Sequence, residues 1–269
     1  MLFNQKHPRW LLGMLLFLLL PDRSPSQDAL VILTYPLENQ ISILVKAIVT
    51  QNAITYRYQY SVSSSISSVQ RAWDYSVFNV SCFDSLRNAI GWDVGTSMIP
   101  SQRVTWTSSD SVYDIFPGGS LGGFSVISRG LPSIKEFYVR GYVDVPAVSA
   151  EPDSVVGGLF PENSFHGTTI GPNTSSHPFR PFSFIDSLNS YVSRSRSLNW
   201  ITTQAAADKY TNYFRTTRSQ LQSANISGAL STLQAVLISA NADSTSLLTS
   251  EAYALIRYNS QYLITQLQP

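Results

Sequence analysis

The sequence predicts an α+β chain in two domains, an N-terminal antiparallel β-sandwich followed by a small C-terminal antiparallel helical bundle. Three observations carry the prediction. Apolar residues recur every second position from about Val31 to Val148, with no helical stretch between the runs. From Val145 to Pro181 the pattern stops, and six Pro (146, 152, 161, 172, 178 and 181) fall in this segment. After Pro181 the apolar period becomes helical. The expected organisation is a leader over 1–26, a sandwich over 27–148, a Pro/Gly-rich connector over 149–181 and a bundle over 182–269.

The leader comes first in the chain. Lys6, His7 and Arg9 precede an apolar run from Trp10 to Leu20, Pro21 ends it, and Ser24 and Ser26 are small residues spaced as at a cleavage site. This is the three-part plan of a secretory signal peptide. The run has 11 residues, too few for a bilayer-spanning helix, which needs about 20. The expected address is therefore outside the cytoplasm, with an uncleaved anchor as the alternative. Removing residues 1–26 leaves 15 basic and 16 acidic residues and a single thiol, Cys82. No intramolecular disulfide is possible. A near-neutral balance also argues against a nucleic-acid partner, which requires a basic stripe to displace counterions from phosphates.

In the sandwich region, Thr55-Tyr56-Arg57-Tyr58-Gln59-Tyr60 alternates without error, so three Tyr share one strand face and Thr, Arg and Gln the other. Ile41–Val49, Ala72–Val80, Arg103–Thr107, Gly123–Ser128 and Ile134–Val143 show similar runs, separated by Ser-, Gly- or Pro-rich turns. A parallel sheet would need crossover helices, and the spacing leaves no room for them. In the tail, Phe184, Ile185, Leu188, Tyr191 and Val192 make one helical stripe, with Ser183 and Asp186 spaced as a capping box. Tyr210 to Leu221, Ile226 to Leu237 and Ala252 to Leu263 make three more, and Trp200-Ile201 sits in the first loop as a plug for the bundle's end.

Candidate chemistry is sparse. Gly118-Gly119-Ser120-Leu121-Gly122 matches G-x-S-x-G, in which a strand-to-helix turn lifts a nucleophilic Ser. Here a strand-like run follows instead of a helix, and the available bases, His166 and His177, lie in the Pro-rich segment. A serine hydrolase using Ser120 with His166 is the alternative function. Asp110 and Asp114 beside Ser109 and Ser111 could offer oxygen ligands to calcium, but turns use the same residues. No His pair has zinc spacing, and no cofactor is expected. The candidate binding residues are Tyr56, Tyr58, Tyr60 and Trp92, whose rings would stack on sugars if they line an open face and would form core if they do not. His166 completes the set, either tying the connector to the sandwich or making binding depend on protonation.

Several stretches resemble a family of uncharacterised bacterial secreted proteins: Gly122-Gly123-Phe124-Ser125, Gly130-Leu131-Pro132, Phe137-Tyr138-Val139-Arg140-Gly141, Asn163 to Pro172, and Leu248-Thr249-Ser250-Glu251-Ala252-Tyr253-Ala254-Leu255. The last belongs to a segment from Phe182 to Leu267 that resembles the helical FIMAH domain, appended to exported bacterial proteins, hydrolases among them. The resemblance implies a bacterial source and a non-catalytic accessory module, and it brings no ligand or active site. Where that module's second helix carries Lys/Arg-rich stretches, this chain has Thr216-Thr217-Arg218-Ser219-Gln220. The expected function is an exported, non-enzymatic accessory or binding protein of the envelope or extracellular space, with a glycan or an envelope protein as partner.

Overall fold

The computed structural model of the chain describes residues 39–81, 83–97, 102–143, 164–173 and 178–268. The leader, Cys82, His177 and most of the connector lie outside the described residues. Among the described residues, nine strands precede four helices: β1 Ile43–Asn52, β2 Thr55–Ser64, β3 Ala72–Phe78, β4 Phe83–Arg87, β5 Trp92–Ser97, β6 Arg103–Ser108, β7 Ser120–Ser128, β8 Leu131–Gly141, β9 Phe165–Asn173, then α1 Pro181–Ser197, α2 Gln204–Gln222, α3 Ile226–Asp243 and α4 Ser250–Leu267. All pairings are antiparallel, in a four-stranded sheet ordered β1-β2-β7-β4 and a five-stranded sheet ordered β5-β6-β3-β8-β9.

The alternation read in Thr55–Tyr60 is the alternation observed: Tyr56, Tyr58 and Tyr60 are buried between the sheets, and Gln59 faces out. The Tyr60 ring meets those of the opposite sheet, while Tyr56 packs edge-on against Tyr258 of α4 at 5.4 Å. Tyr75 stacks on Trp106 at 5.2 Å between ring centres, and Tyr60 and Phe124 close on the pair at 5.6–6.0 Å. Such rings carry polar atoms that must be paired when buried. The Tyr60 hydroxyl donates to the Ile170 carbonyl across the sandwich (3.0 Å), and Trp106 Nε1 donates back to the Arg87 carbonyl (2.9 Å). The register of β2 with β7 shifts at Tyr60/Ser61, where Gly123, at φ +103°, absorbs the extra residue. A Cβ there would also press on the Ala89 backbone at 3.3 Å, so the bulge requires glycine.

Two expectations are corrected. The segment read as a connector contains β9, which pairs with β8 from Leu131↔Asn173 to Val139↔Phe165. Gly167 belongs there because the Phe137 ring occupies the space of a side chain, 2.6 Å from where its Cβ would stand. In addition, α1 starts at Pro181, which supplies the first-turn position that needs no N–H donor. Ser183 is therefore inside the helix rather than capping it, and Asp186 pairs with Arg218.

The helices pack as their stripes require. Ile185, Leu188, Val192, Tyr210, Phe214, Leu233, Val236, Ile256 and Leu263 share one core. Thr203 and Asn225 cap α2 and α3 by accepting from the N–H groups of Ala206 and Gly228. Ile201 is buried and bridges to Leu248, closing the bundle's end. Helix α4 also serves the sandwich: Ala254, Leu255 and Tyr258 join its core. The otherwise open edge of β1 is sealed by two α4 side chains. Glu251 Oε1 accepts from the Ala47 N–H (2.7 Å), and the Tyr258 hydroxyl donates to the Val49 carbonyl (3.1 Å). Among the described residues, no helix is long and apolar enough to cross a membrane.

Candidate functional site

A cleft of about 190 Å³ opens where β8 and the end of β9 meet α1 and α4. Its walls follow from local sequence. Pro181 starts α1 directly after Arg180, so Ser183, Phe184, Ser187 and Tyr191 recur at helical spacing along the cleft. Phe179 folds back on Phe184 at 5.5 Å between ring centres, and Tyr262 of α4 contacts both rings at 5.5–5.7 Å. Opposite lie Leu131, Pro132 and Ser133 of β8, and Asn173 of β9.

The polar groups are held in place. Buried Asn259 donates through Nδ2 to the carbonyls of Pro132 (2.9 Å) and Leu255 (2.8 Å), fixing its amide at the cleft floor. Ser133 Oγ donates to the Gly171 carbonyl (3.3 Å). Asn173 Oδ1 accepts from Lys135 Nζ (3.2 Å). Lys135 is only 8% exposed, and burial pulls its ammonium down to a pKa of about 8. Burial also raises the Tyr191 hydroxyl, which stays protonated at neutral pH. Among the described residues the lining therefore combines ring faces, hydroxyls and amides with one cation, Arg180, and has no carboxylate, imidazole or thiol. It can hold a ligand by stacking and hydrogen bonding.

The residues singled out in the sequence do not meet here. Tyr56, Tyr58 and Tyr60 face the core, Tyr58 donating to the Gly130 carbonyl at 2.7 Å. Trp92 opens β5; it is 1% exposed and donates from Nε1 to the Tyr113 carbonyl at 2.9 Å. None of the four offers a ring face to a ligand, because the sandwich needs these rings between its sheets. Trp73, half-buried on the outer side, lies under the Arg140 guanidinium at 4.6 Å. His166 is exposed on β9, its ring 6.0 Å from that of Tyr138. Ser120 begins β7 in the other sheet, with its Oγ 2.8 Å from Ser63 Oγ and a strand after it instead of a helix. Asp110 caps a single 3₁₀ turn at Ser111–Tyr113 by accepting from the Val112 N–H (3.0 Å). Asp114 pairs with Arg71 at 2.7 Å. No group of three or more potential metal ligands occurs among the described residues.

Sequence reasoning missed Ser133, Asn173, Phe179, Arg180 and Asn259 as partners in one site. The available signal was local: aromatic residues flanking a Pro at a helix start, close to the last Pro-broken stretch.

No family model matches the chain, and no curated protein matches it. Among solved structures, one titled "The unique CBM3- of Hungateiclostridium clariflavum" is similar over 33% of this chain and 72% of its own length. The identity is 8% and the TM-score 0.24. A likeness of that strength carries no argument about fold or ligand, so the chemistry rests on this chain's own residues.

Proposed function

We propose that this chain is an exported, non-enzymatic binding protein and that the cleft between β8–β9 and α1–α4 takes a sugar ring. The observation that carries this reading is the composition of the lining: ring faces of Phe179, Phe184 and Tyr191 against the uncharged groups of Ser133, Asn173, Ser183 and Asn259. A sugar presents C–H faces to aromatic rings and hydroxyls to amides and hydroxyls. A closed cavity of about 150 Å³ accepts one benzene molecule, so a cleft of about 190 Å³ suits one six-membered ring of a longer glycan. The leader supports export, and the tail's resemblance to the FIMAH module supports an accessory role beside a catalytic partner.

The test is a neutral-oligosaccharide array probed with the full chain and with Ser187→Trp. Ser187 is exposed on α1 at the cleft wall, so the larger side chain fills the cleft while the core is untouched. Binding by the parent chain that Ser187→Trp abolishes is the expected result. A blank array, or binding unaffected by the filled cleft, would sink the reading.

A further inference from the structure

The outer face of the four-stranded sheet carries a second feature, built from residues that take no part in the cleft. Strand alternation and register place Leu44, Lys46, Ile48 and Thr50 of β1, Arg57, Gln59 and Ser61 of β2, Ser125 and Ile127 of β7, and Ser85 and Arg87 of β4 on this one side. Among the described residues nothing covers the β1 side of it: Leu44 is 56% and Ile48 55% exposed, and Lys46 and Arg87 are exposed as well. The outward positions include three cations and no carboxylate. Asp84 sits at the β4 bulge and faces Arg129 at 3.8 Å. None of Lys46, Arg57 and Arg87 is ion-paired with another described residue.

Their arrangement follows from the register. Arg57 pairs laterally with Thr50 and Ile127, Lys46 with Ser61, and Arg87 with Ser125. With strands ~4.8 Å apart and rows of like-facing residues ~6.8 Å apart, the three Cα atoms stand roughly 12–16 Å from one another. Beside Arg57 lies a hollow of about 220 Å³ bounded by Thr50, Asn52, Thr55 and Ile127. Flat, hydroxyl- and amide-rich ground between spaced cations matches an extended chain of sugars bearing carboxylates. It matches a duplex nucleic acid poorly, since three charges displace few counterions.

We propose that this face binds an acidic polysaccharide, with Lys46, Arg57 and Arg87 as the charged contacts and the hollow beside Arg57 seating one sugar. The site is independent of the cleft. The experiment titrates the full chain with polygalacturonate at low and at physiological salt, alongside dextran and vesicles of phosphatidylcholine with phosphatidylserine. Polygalacturonate should bind, weaken with salt, and lose roughly tenfold or more in affinity in the K46Q/R57Q/R87Q triple variant. Dextran should not bind this face. Ser187→Trp should leave polygalacturonate binding intact, which separates this site from the cleft whether or not the cleft takes a sugar. No binding by the parent chain, full binding by a folded triple variant, loss of binding in Ser187→Trp, or binding to the vesicles without polygalacturonate would each overturn the proposal.

Discussion

The outer faces of the two sheets obey the same alternation and end in opposite states. On the five-stranded sheet, Asp74 is 2% exposed, with Oδ2 3.0 Å from Arg140 Nη2 and 3.3 Å from Thr107 Oγ1. Beside it the Ser76 and Thr105 hydroxyls meet at 2.8 Å, and Phe78 packs on the Tyr138 ring at 4.6 Å. Around Asp74 this face has closed over itself. On the four-stranded sheet Lys46, Arg57 and Arg87 have no ion-pair partner among the described residues, Lys46 and Arg87 are exposed, and the one carboxylate, Asp84 at the β4 bulge, faces Arg129 instead. Alternation decides which residues point outward; the presence of an opposite charge decides whether they are drawn into a buried network or left available.

The contrast can be broken most forcefully at Asp74. Asp74→Ala removes one partner of a buried ion pair and should cost about 3 kcal/mol, read as a lowered urea midpoint. A loss no larger than a surface substitution would show that the face is not closed. A finer test uses pH. Burial raises the Asp74 carboxyl above its ordinary value of 3.8, outweighing the opposing pull of Arg140. The folded state thus holds this proton more tightly than the unfolded chain does. The penalty is absent below the ordinary value and grows as pH rises through the raised one. The urea midpoint of the parent relative to Asp74→Asn should therefore fall across that window, and a difference constant with pH would contradict the assignment. Next in size, Ser76→Ala removes the partner of the half-buried Thr105 hydroxyl and should cost about 1 kcal/mol. Smallest is Lys46→Gln on the open sheet, expected within about 0.5 kcal/mol of the parent. If thermal melts put it level with Ser76→Ala, the two faces are alike after all.

What could be read in advance depended on how local the signal was. β2, β3, β6 and β8 announced themselves through period-two runs, and the four helices through stripes whose Leu, Ile, Tyr and Phe proved to be core. β4 and β5 are short and carry polar residues on both faces, Phe83-Asp84-Ser85-Leu86-Arg87 and Trp92-Asp93-Val94-Gly95-Thr96-Ser97, so no alternation marks them. β9 reads as a loop because Gly167, Gly171 and Pro172 are turn residues anywhere else; the Phe137 ring, from a strand some thirty residues earlier, makes the first of them necessary. The aromatics of Tyr56–Tyr60 and Trp92 carried both readings, core and platform, and only the opposing sheet decides between them. The cleft was illegible for a related reason. Ser133, Asn173, Arg180 and Asn259 are unremarkable one at a time and become a lining only when β8, β9, α1 and α4 converge.

The seal on β1 carries a consequence for the order in which the molecule can be completed. Ala47 and Glu251 are 204 residues apart in the chain, and Val49 and Tyr258 are 209. During synthesis β1 emerges some two hundred residues before α4, the helix that satisfies its edge. Until then the strand presents unpaired N–H and C=O groups that a neighbouring nascent chain can template on. Contacts spanning such distances also slow folding, because the intervening chain must be ordered before they form. This separation makes the docking of α4 the step that closes the β1 edge, and variants that delete α4 should fail in yield before they fail in any binding assay.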